Sequence, residues 1–456
     1  MLTLLHSLTF LWLLACAWHA FHRLKQHRLD SINAVVIVHF ILCGIPIALD
    51  VLAGKPSFTE EPGLGDAAED IPTAVAFCLF VSFCPIIWLW AGKSAGRAAP
   101  KIYVEYSHVV RRPIYVVCWL LATLPVLLVL ASPERDEYLI YGSPVRGTLA
   151  QDPSDWHNFV AMSAMVGVLA IAVLLSVKRT VRTQDWLAAG VLTLFDCWIN
   201  GKRAIVAVAI IALGYTFWSK GLLVGRQLKL ALTGGVLFLV AFSFFYQSKV
   251  RFAETPFQVG TTGSVYENFR GVFFRDDRIK MTLYAEIHPE RMRILEYRGQ
   301  SVVFNLLFFV PRSIWPEKPW PYSVYFTSAM LNIYPPRSLN WGMTTSWLEE
   351  AVANFGWLGI LIGPLSIACL CRLGDSYRWP ALTIVTVLVA VLLMSVQLSA
   401  FMAIFLFWLA LLLLPLLTPR HGSLGTQRHL ATMTGQPAKQ KAQYADRDGR
   451  REFDAR

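Results

Sequence analysis

The sequence predicts an all-α polytopic integral membrane protein, with about eleven transmembrane helices and one large extracytoplasmic loop containing short surface or re-entrant helices. Three observations predict it. Apolar residues make up 55% of the 456-residue chain and charged residues only 16%, whereas soluble domains average about 25% charged. Apolar runs recur that reach the roughly 17–25 residues a helix needs to cross a bilayer. Lys and Arg concentrate in alternate connecting segments, the pattern that fixes orientation in a membrane.

The expected spans, in order, are 2–20, 32–52, 72–91, 114–132, 157–177, 185–199, 203–218, 228–246, 348–371, 380–397 and 400–417. No positive charge precedes the first; Arg23 and Lys25 follow it, so it reads as a retained helix, not a cleaved leader. The sixth and seventh are short and close together. Residues 1–246 thus hold eight helices, 247–346 a long loop, and 347–419 three more helices. Residues 420–456 are polar and basic without apolar periodicity, which predicts a disordered cytoplasmic tail in contact with anionic lipid.

Orientation follows from counting. With the N-terminus outside, the inner segments and the tail hold 24 of the 41 Lys/Arg residues, and the short outer segments hold only Lys55, Arg135, Arg146, Lys202 and Arg203. An odd number of spans then leaves the C-terminus inside. The net charge of +11 is therefore mostly a matter of topology and does not imply a nucleic-acid partner. The outer segment 53–71 is acidic, with Glu60, Glu61, Asp66, Glu69 and Asp70. The remaining twelve basic residues sit in the outer loop 247–346, against the rule that basic loops stay inside. An anionic ligand would account for them.

All eight cysteines fall in predicted spans, where they read as small apolar packing residues. No Cys/His spacing resembles a zinc site, and there is no P-loop, no GxGxxG and no solenoid repeat.

The long loop has structure of its own. Ser301–Val310 is apolar but too short to span, as a re-entrant or interfacial segment would be. Upstream, Tyr266, Phe269, Phe273, Ile279 and Leu283 alternate with Arg270, Arg275, Asp276, Asp277, Arg278 and Lys280, which suggests a helix lying on the membrane surface. Six prolines between Pro311 and Pro336 exclude a long helix and favour rigid extended chain. Trp315, Trp320, Tyr322, Tyr325, Tyr334, Trp341 and Trp347 crowd the same region. They fit equally an interfacial aromatic belt or a sugar-stacking groove, in which Trp315 and Tyr322 would bind substrate.

Arginine offers a planar fork that grips phosphate oxygens bidentately, so clustered arginines near lipid depth suit a lipid-linked diphosphate. Arg312 and Lys318, held between Pro311, Pro316 and Pro319, form the leading pair. Arg203, at the start of the seventh span, is a further candidate or else a snorkelling anchor. Arg270, Arg275 and Arg278 are weaker candidates, as is Arg251. Glu349 and Glu350 open the ninth span and point about 100° apart on a helix. One is expected to face the interior and the other water. The inward one is a candidate general base. No carboxylate cluster with metal-ligand spacing accompanies them, so neither metal nor other cofactor is expected.

The residues from 298 to 359 carry a resemblance. Arg298-Gly299, the run Val310-Pro311-Arg312-Ser313-Ile314-Trp315-Pro316-Glu317-Lys318-Pro319, the approach Thr344-Thr345-Ser346, and Glu350 followed by Asn354-Phe355-Gly356 and Gly359 resemble the Wzy-type O-antigen polymerases, the oligosaccharide repeat-unit polymerases. By that resemblance Arg312, Lys318 and Glu350 occupy motif positions, and Gly201-Lys202-Arg203 is similar to the arginine-containing start of a middle helix. Glu349 stands where the family often has a small residue, so both acids stay in play.

The resemblance implies a glycosyltransferase of the bacterial inner membrane working at its periplasmic face. Its substrates would be oligosaccharides on undecaprenyl diphosphate, joined by metal-independent, inverting transfer into O-antigen or a related surface polysaccharide. Its partners would be membrane lipids, a chain-length regulator and a flippase. An O-antigen ligase, a peptidoglycan-type polymerase and a non-enzymatic transporter of lipid-linked glycan are the alternatives. A transporter would be expected to show repeats and polar, broken helices at the midplane.

Overall fold

Each of the eleven apolar segments is helical. A computed structural model of the chain describes residues 2–26, 30–56, 58, 61–98, 108–139, 141, 155–178, 181–223, 225–246, 270–271, 273–336, 339, 342–377 and 379–417. Among these residues there is no β-strand. The helices are α1 (Leu2–Lys25), α2 (Ser31–Leu52, with a π-turn at Phe40–Gly44), α3 (Pro62–Glu69) and α4 (Ile71–Ala98). Next come α5 (His108–Leu130), α6 (Asp155–Val177), α7 (Thr183–Asn200), α8 (Arg203–Ser219) and α9 (Arg226–Tyr246). The remainder are α10 (Asp276–Ile287), α11 (Gln300–Leu306), α12 (Tyr322–Leu331), α13 (Trp347–Phe355), α14 (Gly359–Ser376), α15 (Pro380–Ser395) and α16 (Met402–Leu417).

Among the described residues, five segments are long and apolar enough to cross a membrane: Leu2–Lys25, Ser31–Leu52, Ile71–Ala91, Phe159–Val177 and Trp347–Ser376. Four shorter apolar helices accompany them, within α5, α8, α15 and the end of the chain's apolar region. The helices keep many large apolar side chains on the outside, such as Leu4, Trp18, Leu79, Trp90, Leu120 and Leu194. Water would not tolerate so large an apolar surface, and lipid would. Residues 1–412 form one unit and residues 413–456 a second. The packing that positions the site belongs to the first.

The described part of the long loop is folded around a core that it shares with α3 and α13. Met281, Tyr284, Met292, Leu295, Tyr322, Phe326 and Met330 pack together with Leu64 and Ala67 of α3 and Ala353 of α13. The close seam between α3 and α12 needs a glycine: a Cβ at Gly63 would come within 3.0 Å of the Met330 Cα. Asp70 accepts a hydrogen bond from the His288 ring at 3.2 Å. The stretch Pro62–Asp70 and the described part of the long loop therefore pack against each other.

Two local expectations are corrected and a third is refined. First, α10 does not lie on a surface: Asp276 through Ala285 are all buried. Its charges look amphipathic in sequence because they pair internally. Arg270 bonds Asp50 at 2.7 Å and Asp276 at 2.8 Å, and Lys280 bonds Asp276 at 2.9 Å. Second, the proline-rich stretch contains a ten-residue helix, α12. Its prolines bracket 322–334, with Pro321 capping the start and Asn332, at φ 55°, ending it. Third, only part of Ser301–Val310 is open to the surroundings. Ser301 is buried, whereas Leu306 and Phe309 are exposed. Residues 420–456, and the upstream stretch holding Arg251, Tyr266 and Phe269, lie outside the described residues.

Candidate functional site

The ninth apolar segment does not run as one straight helix. Gly356 takes φ +62°, and a Cβ at Gly359 would overlap the Ala351 carbonyl. The chain turns sharply there, so α13 stands as a separate nine-residue helix at the head of α14. That turn aims the first-turn acids of α13 into the protein.

Both acids are buried, at 0% exposure for Glu349 and 1% for Glu350, which corrects the expectation that one faces water. Their roles differ. Glu349 accepts a hydrogen bond from the Ser346 backbone N–H and so closes the start of its own helix. Glu350 Oε1 accepts hydrogen bonds from Ser301 Oγ and Asn305 Nδ2, both at 2.8 Å. Ser301 and Asn305 are one turn apart on α11 and so share a face. Asn354, one turn beyond Glu350, donates to Ser301 Oγ and to the Glu350 carbonyl, each at 2.7 Å.

Glu350 Oε2 is buried and has no hydrogen-bond partner among the described residues. A buried polar atom left without a partner costs about 1–3 kcal/mol. Nearby, Glu349 Oε2, Asn354 Oδ1 and Thr345 Oγ1 are buried and without a hydrogen-bond partner among the described residues as well. Such a concentration of unsatisfied polar atoms over ten residues is a feature of functional sites.

The same helix meets one of the cations through Phe304. The Lys318 ammonium lies 4.9 Å from the Phe304 ring centre and donates to the carbonyls of Phe308 at 2.7 Å and Val310 at 2.9 Å. Arg312 donates to the Lys318 carbonyl at 2.6 Å and the Pro319 carbonyl at 3.0 Å. Its guanidinium is stacked on the Trp320 ring, 3.6 Å from the ring centre. The stack and the two carbonyls fix the plane of the fork. Its Nε–H and one N–H on each terminal nitrogen remain for another acceptor. Neither cation makes an ion pair among the described residues. Burial pulls the Arg312 guanidinium below its usual range. Burial, and then the Arg312 charge, do the same to Lys318. Two adjacent, partly desolvated cations without a counter-charge would be stabilised by an anion.

Helix α11 thus joins the two halves, with Glu350 against Ser301 and Asn305 and Lys318 against Phe304. Tyr325 strengthens the joint. Its hydroxyl accepts from Gln300 Nε2 at 2.7 Å and from the Trp320 N–H at 3.2 Å. Arg298 pins α13 to α10 by gripping both Glu286 oxygens and donating to the Ala353 carbonyl at 2.8 Å. Beside that seam is a cavity of about 220 Å³, lined by Glu286, Met292, Arg293, Tyr297, Arg298 and Ala353. It touches the helix of Glu350 through Ala353, but neither Glu350 nor Arg312 lines it.

The remaining sequence-derived candidates are placed elsewhere. Arg270, Arg275 and Arg278 are buried beside α10. Arg275 donates to the Ser395 carbonyl at 2.9 Å, and Arg278 to the carbonyls of Phe274 and Gly271, each at 2.8 Å. Arg270 and Arg275 brace the loop against the helices, and Arg278 ties the loop to itself. Tyr322 is 1% exposed and shares a 3.0 Å hydrogen bond with Thr282, so its ring is part of the loop core. Trp315 is half-buried at the tip of the Pro311–Pro319 run. Arg203 begins α8, and its side chain lies outside the described residues.

Sequence reasoning overlooked Ser301, Asn305 and Asn354. The spacing of four from Ser301 to Asn305 and from Glu350 to Asn354 was the available signal. Among the described residues no three His, Cys, Asp or Glu side chains converge as metal ligands would. No family model matches the chain, and neither a curated protein nor a solved structure does.

Proposed function

We propose that this chain is a glycosyltransferase of the bacterial inner membrane that polymerises undecaprenyl-diphosphate-linked oligosaccharide repeat units into O-antigen or a related surface polysaccharide. The observation that carries the reading is that one short helix, α11, contacts both a buried carboxylate whose second oxygen has no partner among the described residues and one of two cations without a counter-charge there. A sugar hydroxyl is the group that the first would accept from. A diphosphate is the group that the second would hold.

The chemistry then runs without a nucleotide sugar. Glu350 takes the proton from a hydroxyl of the acceptor repeat unit. That oxygen forms a bond to the anomeric carbon of the donor glycan. The bond from this carbon to the lipid diphosphate breaks, and its electron pair leaves with the diphosphate. Negative charge grows on the leaving group in the transition state, where Arg312 and Lys318 are already fixed to meet it. Attack and departure at one carbon invert the anomer. Ser301 and Asn305 hold the carboxylate, and Asn354 holds Ser301. Arg203 is a further contact to the diphosphate in this reading, and Trp315 a contact to sugar.

The family resemblance of residues 298–359 supports the same reading, with an undecaprenyl carrier at the periplasmic face of the inner membrane, and the distribution of Lys and Arg supports an outer N-terminus and an inner C-terminus. An O-antigen ligase would use the same donor with a different acceptor. The experiment is to give the purified protein, in lipid, two lipid-linked repeat units together with lipid A core. A ladder of longer glycans supports the polymerase. Transfer to the core alone supports the ligase. Unchanged substrates would leave a transporter or binder.

A further inference from the structure

The turn that follows α11 exposes a group of large apolar side chains. Leu306 is 69% exposed, Phe309 67% and Ile314 76%, with Leu307 also exposed. These are large apolar side chains on an irregular segment whose upstream end, at Ser301, is buried against Glu350. An aqueous loop would not keep four such groups together in water.

Part of the backbone of this segment is satisfied without water. Irregular chain at membrane depth is tolerated only where its polar groups find partners. Pro311, Pro316 and Pro319 have no N–H to satisfy. The N–H groups of Leu307, Val310, Ile314, Trp315 and Lys318 all donate to nearby carbonyls in tight turns. The carbonyls of Phe308, Val310, Lys318 and Pro319 accept from the side chains of Lys318 and Arg312. The two cations thus replace the water that an exposed turn would use. Lacking a carboxylate partner among the described residues, they also suit a layer of anionic headgroups.

The segment continues an apolar surface already assigned to lipid. Helix α11 packs on α13, and α13 leads directly into Trp357, 52% exposed, and Leu358, 67% exposed, at the head of a helix long enough to span.

We infer that residues 306–315 form a membrane-seated tip: Leu306, Leu307, Phe309 and Ile314 enter the acyl region of the bilayer that the long helices cross, with Arg312 and Lys318 at its anionic headgroup layer. This inference needs no glycosyl transfer and stands on the loop's own surface. It places the cation pair at the depth where the phosphates of a lipid lie.

Photo-crosslinking tests it. A benzophenone amino acid is placed at Phe309 or at Ile314 in the full chain, and at Glu290, a solvent-facing turn residue of the same loop with 66% side-chain exposure, as the reference. The protein is held in nanodiscs of phosphatidylethanolamine and phosphatidylglycerol, illuminated, and weighed intact. Several-fold more phospholipid adduct at 309 and 314 than at 290 is the expected result. Adduct at both positions no greater than at 290 would overturn the inference. Because the readout is a covalent lipid mass, it is independent of whether the protein makes glycan.

Discussion

Replacing Arg312 by lysine separates a phosphate clamp from a surface anchor. In the structure the Arg312 fork has three attachments: the Lys318 carbonyl at 2.6 Å, the Pro319 carbonyl at 3.0 Å and the Trp320 ring at 3.6 Å. A lysine keeps the charge but has a single donor centre and no flat face to stack. It can hold one carbonyl or reach outward to a ligand, and cannot do both in the same geometry. Each hydrogen bond involving a charged group contributes about 1.5–3 kcal/mol. Losing one donor that stabilises charge in a transition state costs about 10²–10³ in rate, or about 2.7–4 kcal/mol. Arg312→Lys is therefore expected to lower polymerisation at least a hundredfold, close to Arg312→Ala. The assay is the rate of ladder formation by purified protein at matched amounts, with a melting curve for each variant. If Arg312 were an interfacial anchor, lysine would snorkel equally well. Near-normal ladders from Arg312→Lys would refute the clamp.

The acids make a ranked pair. Glu350→Gln keeps an oxygen to accept from Ser301 and Asn305 but cannot take a proton, so it is expected to abolish ladders while the melting midpoint barely moves; full activity would remove the base. Glu349→Gln still accepts from the Ser346 N–H and is expected to be milder; the reverse ranking would exchange their roles. Gly359→Ala would drive a methyl into the Ala351 carbonyl and is expected to destabilise by about 1–3 kcal/mol, read as a lower melting midpoint; no change would contradict the tight turn. Asp277 is pushed up to about 7 by burial and then by Asp276 beside it, so the folded protein holds its proton more tightly than the unfolded chain. That contribution to stability is full below the ordinary carboxyl range and is lost as pH rises through about 7. Asp277→Asn is therefore expected to raise the melting midpoint more at pH 8 than at pH 5; an equal effect at both would contradict it.

The helices were legible because apolar runs of span length leave few other choices in water or lipid. The loop was harder to read, and its residues show why. Arg270, Asp276 and Lys280 alternate with apolar residues as a surface helix would, yet they neutralise one another and Asp50, which lies 220 residues from Arg270. A pairing over that distance leaves no mark on local periodicity. The six prolines were legible as helix breakers, but the gap between Pro321 and Pro335 was overlooked as room for α12. In the candidate site, Glu350, Arg312 and Lys318 stood out by type and spacing. Ser301, Asn305 and Asn354 did not, because uncharged polar residues at a spacing of four occur on many helices. Tyr322 looked like a sugar platform because aromatic rings suit both sugars and cores; the contact with Thr282 decides for the core.

The central claim concerns the fate of the lipid diphosphate. Purified protein in lipid is supplied only with undecaprenyl-diphosphate-linked repeat units and a metal chelator, and free undecaprenyl diphosphate is measured beside glycan length. The account predicts release of lipid diphosphate in step with each new glycosidic bond, with both signals lost in Glu350→Gln. Chain growth that requires a nucleotide sugar, or growth without release of lipid diphosphate, would contradict it.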